Sequence, residues 1–324
     1  MRAYVIRRLL LMFPMMIGIT LISFFIIHLA PGDPTELLQD LNPNASPEAV
    51  KKLRELYHLD RPVIVQYFLW LSDIVRLDFG ASFSMDARPV VDKITERIPV
   101  TLLLNSISLL IVMAVALPLG VLSAVKRHSA FDKVTTALVF FGFAMPTFWM
   151  ALLLMMVFGV WLDWLPISGL TSINHNELST WGKFTDYARH LLMPTLVAGF
   201  TSLAGLSRFT RQNMLEVIRQ DYVTTARAKG LPESVVIYKH CLKNAMLPVV
   251  TIMALSIPGL IGGSVIFETI YSIPGMGQLF YQGVMARDYP LIMGILVMGS
   301  FLTLFANLLA DMAYAFVDPR IHYE

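Results

Sequence analysis

The chain has 324 residues, of which 56% are hydrophobic and only 15% charged, and its mean hydropathy is +0.64. Soluble globular domains hold about 45–50% apolar and about 25% charged residues, so this composition excludes one and indicates bilayer spans. A net charge of +2 is too small for a nucleic-acid partner, and the single cysteine, Cys241, excludes a disulfide framework or a cysteine-pair metal site.

Arg2, Arg7 and Arg8 precede an apolar run over 9–29 that looks at first like a signal peptide. The run exceeds the roughly 7–15 residues of such a segment, and Ala30-Pro31-Gly32-Asp33-Pro34 makes a poor cleavage site. It reads as a retained helix. About 20 helical residues cross the hydrocarbon core of about 30 Å, which places spans near 9–29, 100–124, 135–160, 190–207, 246–267 and 290–311.

The long segment 30–99 is polar. It predicts an amphipathic helix over 47–59, with Ser46 as cap and Glu48 in the first turn, and a second apolar-polar stretch over 63–77. Pro14, Pro118, Met145-Pro146, Pro258-Gly259 and Gly262-Gly263 interrupt the spans. Freed backbone groups must be re-satisfied inside the protein, either at packed kinks or in bent helices lining a pathway.

Lys and Arg concentrate around the N-terminus, 126–133, 208–243 and Arg320, which puts both termini in the cytoplasm. The segment 30–99 then lies outside. No nucleotide-binding loop is present: Gly182-Lys183 is followed by Phe184 and lacks the earlier glycine. His-Glu-x-x-His, Gly-x-Ser-x-Gly and a complete dinucleotide fingerprint are missing as well, so the sequence offers no enzyme, cofactor or metal motif. The deep parts of the six spans lack Asp, Glu, Lys and Arg, which weighs against a proton-driven secondary carrier.

The loop 208–245 is the most informative segment. Leu215, Ile218, Tyr222 and Ala226 recur at helical spacing and predict one amphipathic helix over 215–230, stopped by Gly230-Leu231-Pro232. Its stripe has to be buried on the membrane surface or in a groove on a partner, and small Ala226, Ala228 and Gly230 favour the partner.

Asp221-Tyr222-Val223-Thr224-Thr225-Ala226-Arg227-Ala228-Lys229-Gly230-Leu231, followed by His240 and Asn244-Ala245-Met246-Leu247-Pro248, resembles the coupling loop of ABC importer permeases. The variant is that of the dipeptide, oligopeptide and nickel branch. Thr224, Thr225 and Ala226 stand where the general motif has Glu-Ala-Ala, so the glutamate's role does not carry over to Thr224. Leu29-Ala30-Pro31-Gly32-Asp33-Pro34, Asp78-Phe79-Gly80 with Ser82, Met145-Pro146-Thr147-Phe148-Trp149 and Leu165-Pro166-Ile167-Ser168-Gly169 fit the same pattern. So do Glu268-Thr269-Ile270, Pro274-Gly275-Met276-Gly277, Arg287-Asp288-Tyr289-Pro290 and Asp318-Pro319-Arg320, and together they cover essentially the whole chain.

The resemblance implies an all-α integral membrane protein of about six spans, with a first helix and extracytoplasmic segment over 1–99 and a five-helix permease core over 100–324. It implies a bacterial or archaeal cytoplasmic membrane and a non-catalytic, ATP-driven role. The implied partners are a second homologous permease, two ABC ATPase subunits and an extracytoplasmic solute-binding protein. Asp221, Thr224, Thr225, Ala226, Arg227 and Gly230 are the implied coupling residues, with Ala226 and Gly230 packing closely and Asp221 and Arg227 making polar contacts. Segments 30–99 and 268–289 are candidates for contact with the binding protein. Peptides are the implied cargo; nickel chelates, glutathione and oligosaccharides are alternatives within the branch, and a secondary carrier is the alternative outside it.

Overall fold

The computed structural model describes residues 2–29, 48, 51, 54, 55 and 58–317. Pro31-Gly32-Asp33-Pro34, most of the expected helix over 47–59, and Asp318-Pro319-Arg320 lie outside the described residues. Among those described there is no strand beyond an isolated bridge between Ala81 and Pro89.

The helices are α1 (Arg2–Leu29), α2 (Val63–Val75), α3 (Val90–Val125), α4 (Ala130–Ala144), α5 (Thr147–Leu154), α6 (Thr180–Ile218) and α7 (Asp221–Ala228). They continue as α8 (Glu233–Ser256, π-helical over Val236–Cys241), α9 (Val265–Ile270), α10 (Met276–Met285) and α11 (Tyr289–Val317). Four are long and apolar enough to cross a membrane alone; counting two bent pairs as single spans gives six. All six expected spans are therefore present, most of them inside longer helices. Hydropathy marks the stretch that crosses lipid, whereas the helix runs on into its polar ends. A division at 99/100 falls inside α3, which continues through Pro99.

Two of the interruptions break the helix. The span expected at 135–160 turns by 106° between α4 and α5. Met145 is extended there (φ −86°, ψ 124°), as the residue before a proline prefers. The α8–α9 pair bends by 41° around a 3-10 turn at Pro258–Leu260. Pro14 and Pro118, by contrast, stay inside continuous helices.

The spine is the parallel pair α3 and α6, the most extensive contact in the fold. Small residues let the two backbones close up, as membrane helices require where no hydrophobic force separates lipid from protein. A Cβ on Gly120 would lie 2.6 Å from the Ser207 carbonyl oxygen, and one on Gly199 would lie 2.8 Å from Val112. Gly120→Leu is therefore expected to lower the thermal midpoint in detergent by several degrees, since overpacking costs about 1–3 kcal/mol. Gly205→Ala, whose new Cβ meets only Phe143 at 3.7 Å, should leave it unchanged.

The ends of the bundle differ. At one end, Arg8 of α1 pairs with Asp311 of α11 at 2.6 Å, and Arg211 of α6 grips Asp132 of α4 with two bonds of 2.7 and 2.9 Å. Helix α7 lies at this end too, beside the C-terminal turns of α3. At the far end, Val90 and Ile94 of α3 pack on Met276, Leu279, Leu291 and Ile295. There α2 lies along α1, with Tyr67 on Thr20 at 3.1 Å and Gln66 on His28 at 3.1 Å. The expected stretch over 63–77 is thus an ordered helix seated on the first span. Wherever α7 faces, the start of α1 and the end of α11 face the same side.

Candidate coupling site

Eight residues make α7, about 12 Å of helix. Gln220 is extended (φ −73°, ψ 148°) and Asp221 sits in the first turn, where an acid complements the helix dipole. The Thr225 hydroxyl donates back to the Asp221 carbonyl at 2.9 Å. Gly230 has φ +75° and closes the helix by donating to the Arg227 carbonyl at 2.9 Å. Leu231 N–H reaches the Ala226 carbonyl at 3.4 Å, completing a left-handed glycine cap.

The helix expected over 215–230 is two helices. Leu215 and Ile218 belong to the last turns of α6, and the chain leaves helical geometry at Arg219 and Gln220 before α7 begins. The corner re-sorts the stripe. Leu215 and Ile218 still pack on the cluster beneath α7, but Tyr222 is exposed and donates no apolar surface to it. Val223, fully buried, takes its place beside Ala226.

Those two side chains seat α7 on this chain's own core. They join Val121 and Ala124 of α3, Met214 of α6, and Val236, Ile237, Cys241 and Ala245 of α8. Ala226 is thus turned inward, and its close packing is intramolecular. Two polar contacts add to the seat. Arg227 pairs with Glu233 at 2.8 Å, and Asn244 donates its amide to the Tyr222 hydroxyl at 2.8 Å. Val223, Glu233 and Asn244 are absent from the coupling set read from sequence. The three-residue spacing of Val223 and Ala226 was the available signal for the first.

The other face is open. Asp221, Tyr222, Thr224, Thr225, Arg227, Ala228, Lys229 and Gly230 are all exposed. A Cβ on Gly230 would meet nothing within 4 Å, so this glycine answers to its backbone angle rather than to a neighbour inside the chain.

At the far end two buried carboxyl groups knot the loops. Asp288 accepts from the Ser82 hydroxyl, from Phe83 N–H at 3.0 Å and from Leu291 N–H at 3.1 Å. Lys93 donates to Ser82 at 3.0 Å and pairs with Asp86 at 2.7 Å. The hydrogen bond from Lys93, then that from Ser84, holds the Asp86 carboxyl down at about 2. Glu268, with no exposed surface, accepts from Thr101 at 3.3 Å, Ser264 N–H at 3.1 Å and Gln278 N–H at 2.9 Å. The turn Pro274-Gly275-Met276-Gly277 wraps this group. A Cβ on Gly275 would lie 2.5 Å from a Glu268 oxygen. Glu268 lies one residue beyond the expected span of 246–267, and it is an ionisable group inside the bent α8–α9 pair. Phe148 and Trp149 remain 49% and 46% exposed, so this chain's own packing does not bury them.

Up to six apolar spans with a short polar-faced helix mounted on their rim define a multi-pass membrane protein. The chain belongs to the family described as binding-protein-dependent transport system inner membrane component, whose model matches residues 116–323. A second model, for the N-terminal part of such membrane components, matches residues 1–105. Over 100% of both chains it is 45% identical to the oligopeptide transport system permease protein AppB of Bacillus subtilis. It is 37% identical to the dipeptide transport system permease proteins DppB of Alkalihalophilus pseudofirmus and Escherichia coli, again over full lengths. In fold it resembles a chain of the MetNI methionine ABC transporter in an inward-facing crystal form. That match has a TM-score of 0.54 at 18% identity, covering 69% of this chain and 96% of the other.

Proposed function

We propose that this permease forms half of a peptide translocation pathway and is driven by ATPase subunits that dock on the open face of α7. The observation that carries the reading is the two-sidedness of α7. One face is locked to α3, α6 and α8 by Val223 and Ala226, while Thr224, Thr225, Ala228 and Lys229 face out. A helix mounted this way transmits displacement to the spans and performs no chemistry itself. ATP then drives access to the pathway only to the extent that the closed ATPase pair favours one arrangement of the spans.

The names of the full-length relatives support peptides as cargo, and the positive bias of 208–243 supports a cytoplasmic α7. The remaining partners are a second permease of the same family and an extracytoplasmic binding protein, for which 30–99 and 268–289 are the contact candidates. Co-expression with the ATPases is the test: the chain should co-purify with them, and reconstituted vesicles should import di- or oligopeptide only with ATP and binding protein. Import by the chain alone would instead establish a secondary carrier. Uptake of nickel chelate, glutathione or oligosaccharide would keep the machine and replace the cargo.

A further inference from the structure

The bend between α8 and α9 packs against both α3 and α11, and α3 supplies its side-chain hydrogen bonds. Asn105 of α3 donates its amide to the carbonyls of Leu260 at 2.9 Å and Gly262 at 3.0 Å, closing two acceptors freed by the break. One turn earlier on α3, the Thr101 hydroxyl accepts from Met276 N–H at 2.8 Å and donates to Glu268. Thr101 and Asn105 share a face of α3, so a single helix stripe clamps the break and the turn that follows it.

Between these two supports part of the backbone stays open. Gly259, Gly262 and Gly263 are exposed. A Cβ on Gly259 would meet nothing within 4 Å, and one on Gly262 would meet only the Gly259 carbonyl at 3.7 Å. Gly263 is different, because its Cβ would lie 2.2 Å from Gly277 N, under the turn. The break stands 14 residues beyond Lys243, the last charged residue before it, or about 20 Å along a helix axis. That depth lies within the hydrocarbon layer. Irregular backbone at such depth does not face lipid; it is buried in protein or borders a water-filled cavity. Glycines with free space in front, flanked by the half-exposed side chains of Asn105, Ser256 and Ser264, suit water better than a packed protein face.

We propose that the exposed backbone at Gly259 and Gly262 borders the solute path of the assembled importer, and that Asn105 is the positioning residue that holds it there. The proposal rests on the permease reading above and adds the place where the path runs. A peptide crossing here would meet main-chain groups rather than side chains, which suits cargo of varied side chains.

The test is thiol labelling in the complete complex, where the native Cys241 is fully buried and serves as a silent background. Gly259→Cys and Gly262→Cys are each treated with a membrane-impermeant maleimide, beside Phe13→Cys on the exposed face of α1 (74% exposed). Thiolate is the reactive form and does not arise in lipid, so the glycine positions should label about tenfold faster than Phe13→Cys. Their rate should also change between nucleotide-free and ATP-bound complexes. Asn105→Leu should abolish that nucleotide dependence, and Asn105→Gln, which keeps the amide donor, should retain it. The proposal is overturned if both glycine positions stay as unreactive as Phe13→Cys in complexes that import peptide with ATP. Cross-linking of either to the second permease, in place of labelling, would overturn it equally. Absence of ATP-dependent import by the unaltered complex would refute the permease reading instead.

Discussion

Ala228→Trp is expected to reduce ATP-driven uptake at least about tenfold while the chain still inserts and folds. Ala228 lies on the open face of α7, and no contact inside the chain needs it small. An indole there would hold a docked partner away, and a loss of about 1.4 kcal/mol of docking energy already weakens binding tenfold. The variant should show normal membrane abundance, an unchanged thermal midpoint of the isolated permease, and reduced recovery of ATPase subunits on co-purification. Val223→Ala makes the opposite separation. It empties part of the buried seat, so it should lower the permease midpoint before any partner is added. Gly230→Trp is a poorer probe because φ +75° strains any residue with a Cβ, whatever binds there. Gly230→Asn tolerates that angle better and should keep most of the uptake. Full uptake by Ala228→Trp would remove α7 as the docking element.

Glu268→Leu should cause the largest loss of stability. Ser264 N–H and Gln278 N–H would lose their buried acceptor, and the Thr101 hydroxyl would lose the acceptor for its proton. Each orphaned buried donor costs about 1–3 kcal/mol, so a loss of several kcal/mol is expected, with aggregation or a sharply lowered midpoint in detergent. Glu268→Gln keeps the shape and one good acceptor oxygen, and it should be intermediate. A midpoint for Glu268→Leu within a degree or two of the parent would mean that the turn over Gly275 and Gly277 stands without this carboxyl. The corresponding change at the other knot, Asp288→Ala, should loosen the Ser82–Phe83 loop and leave the α7 end untouched, as limited proteolysis of the two ends would report.

What could be read in advance follows how local each signal is. The six crossings are legible because hydrocarbon thickness selects about 20 apolar residues in a row, and each of those runs is contiguous. The glycine stop after α7 is legible for the same reason: Gly230-Leu231-Pro232 acts on its own neighbours. The end of α6 is less plain. Nothing between Leu215 and Ala228 is a strong helix breaker, so one continuous periodic stripe was the natural reading. The one available cue was Asp221, an acid of the kind that opens helices.

Sequence alone determined that this is an all-α membrane protein with a short amphipathic element in a basic loop, because lipid and periodicity constrain residues close together in the chain. Only the tertiary structure decided which side of that element is spoken for. Val223 rather than Tyr222 is buried because α3, α6 and α8 converge beneath it, with contact residues drawn from positions 121 to 245. The same holds for Glu268, whose burial depends on a glycine turn that brings Gln278 back from ten residues later and on Thr101 arriving from a helix 167 positions earlier. Contacts of that range leave no periodic trace, since the partner residues share a location and not a stretch of chain.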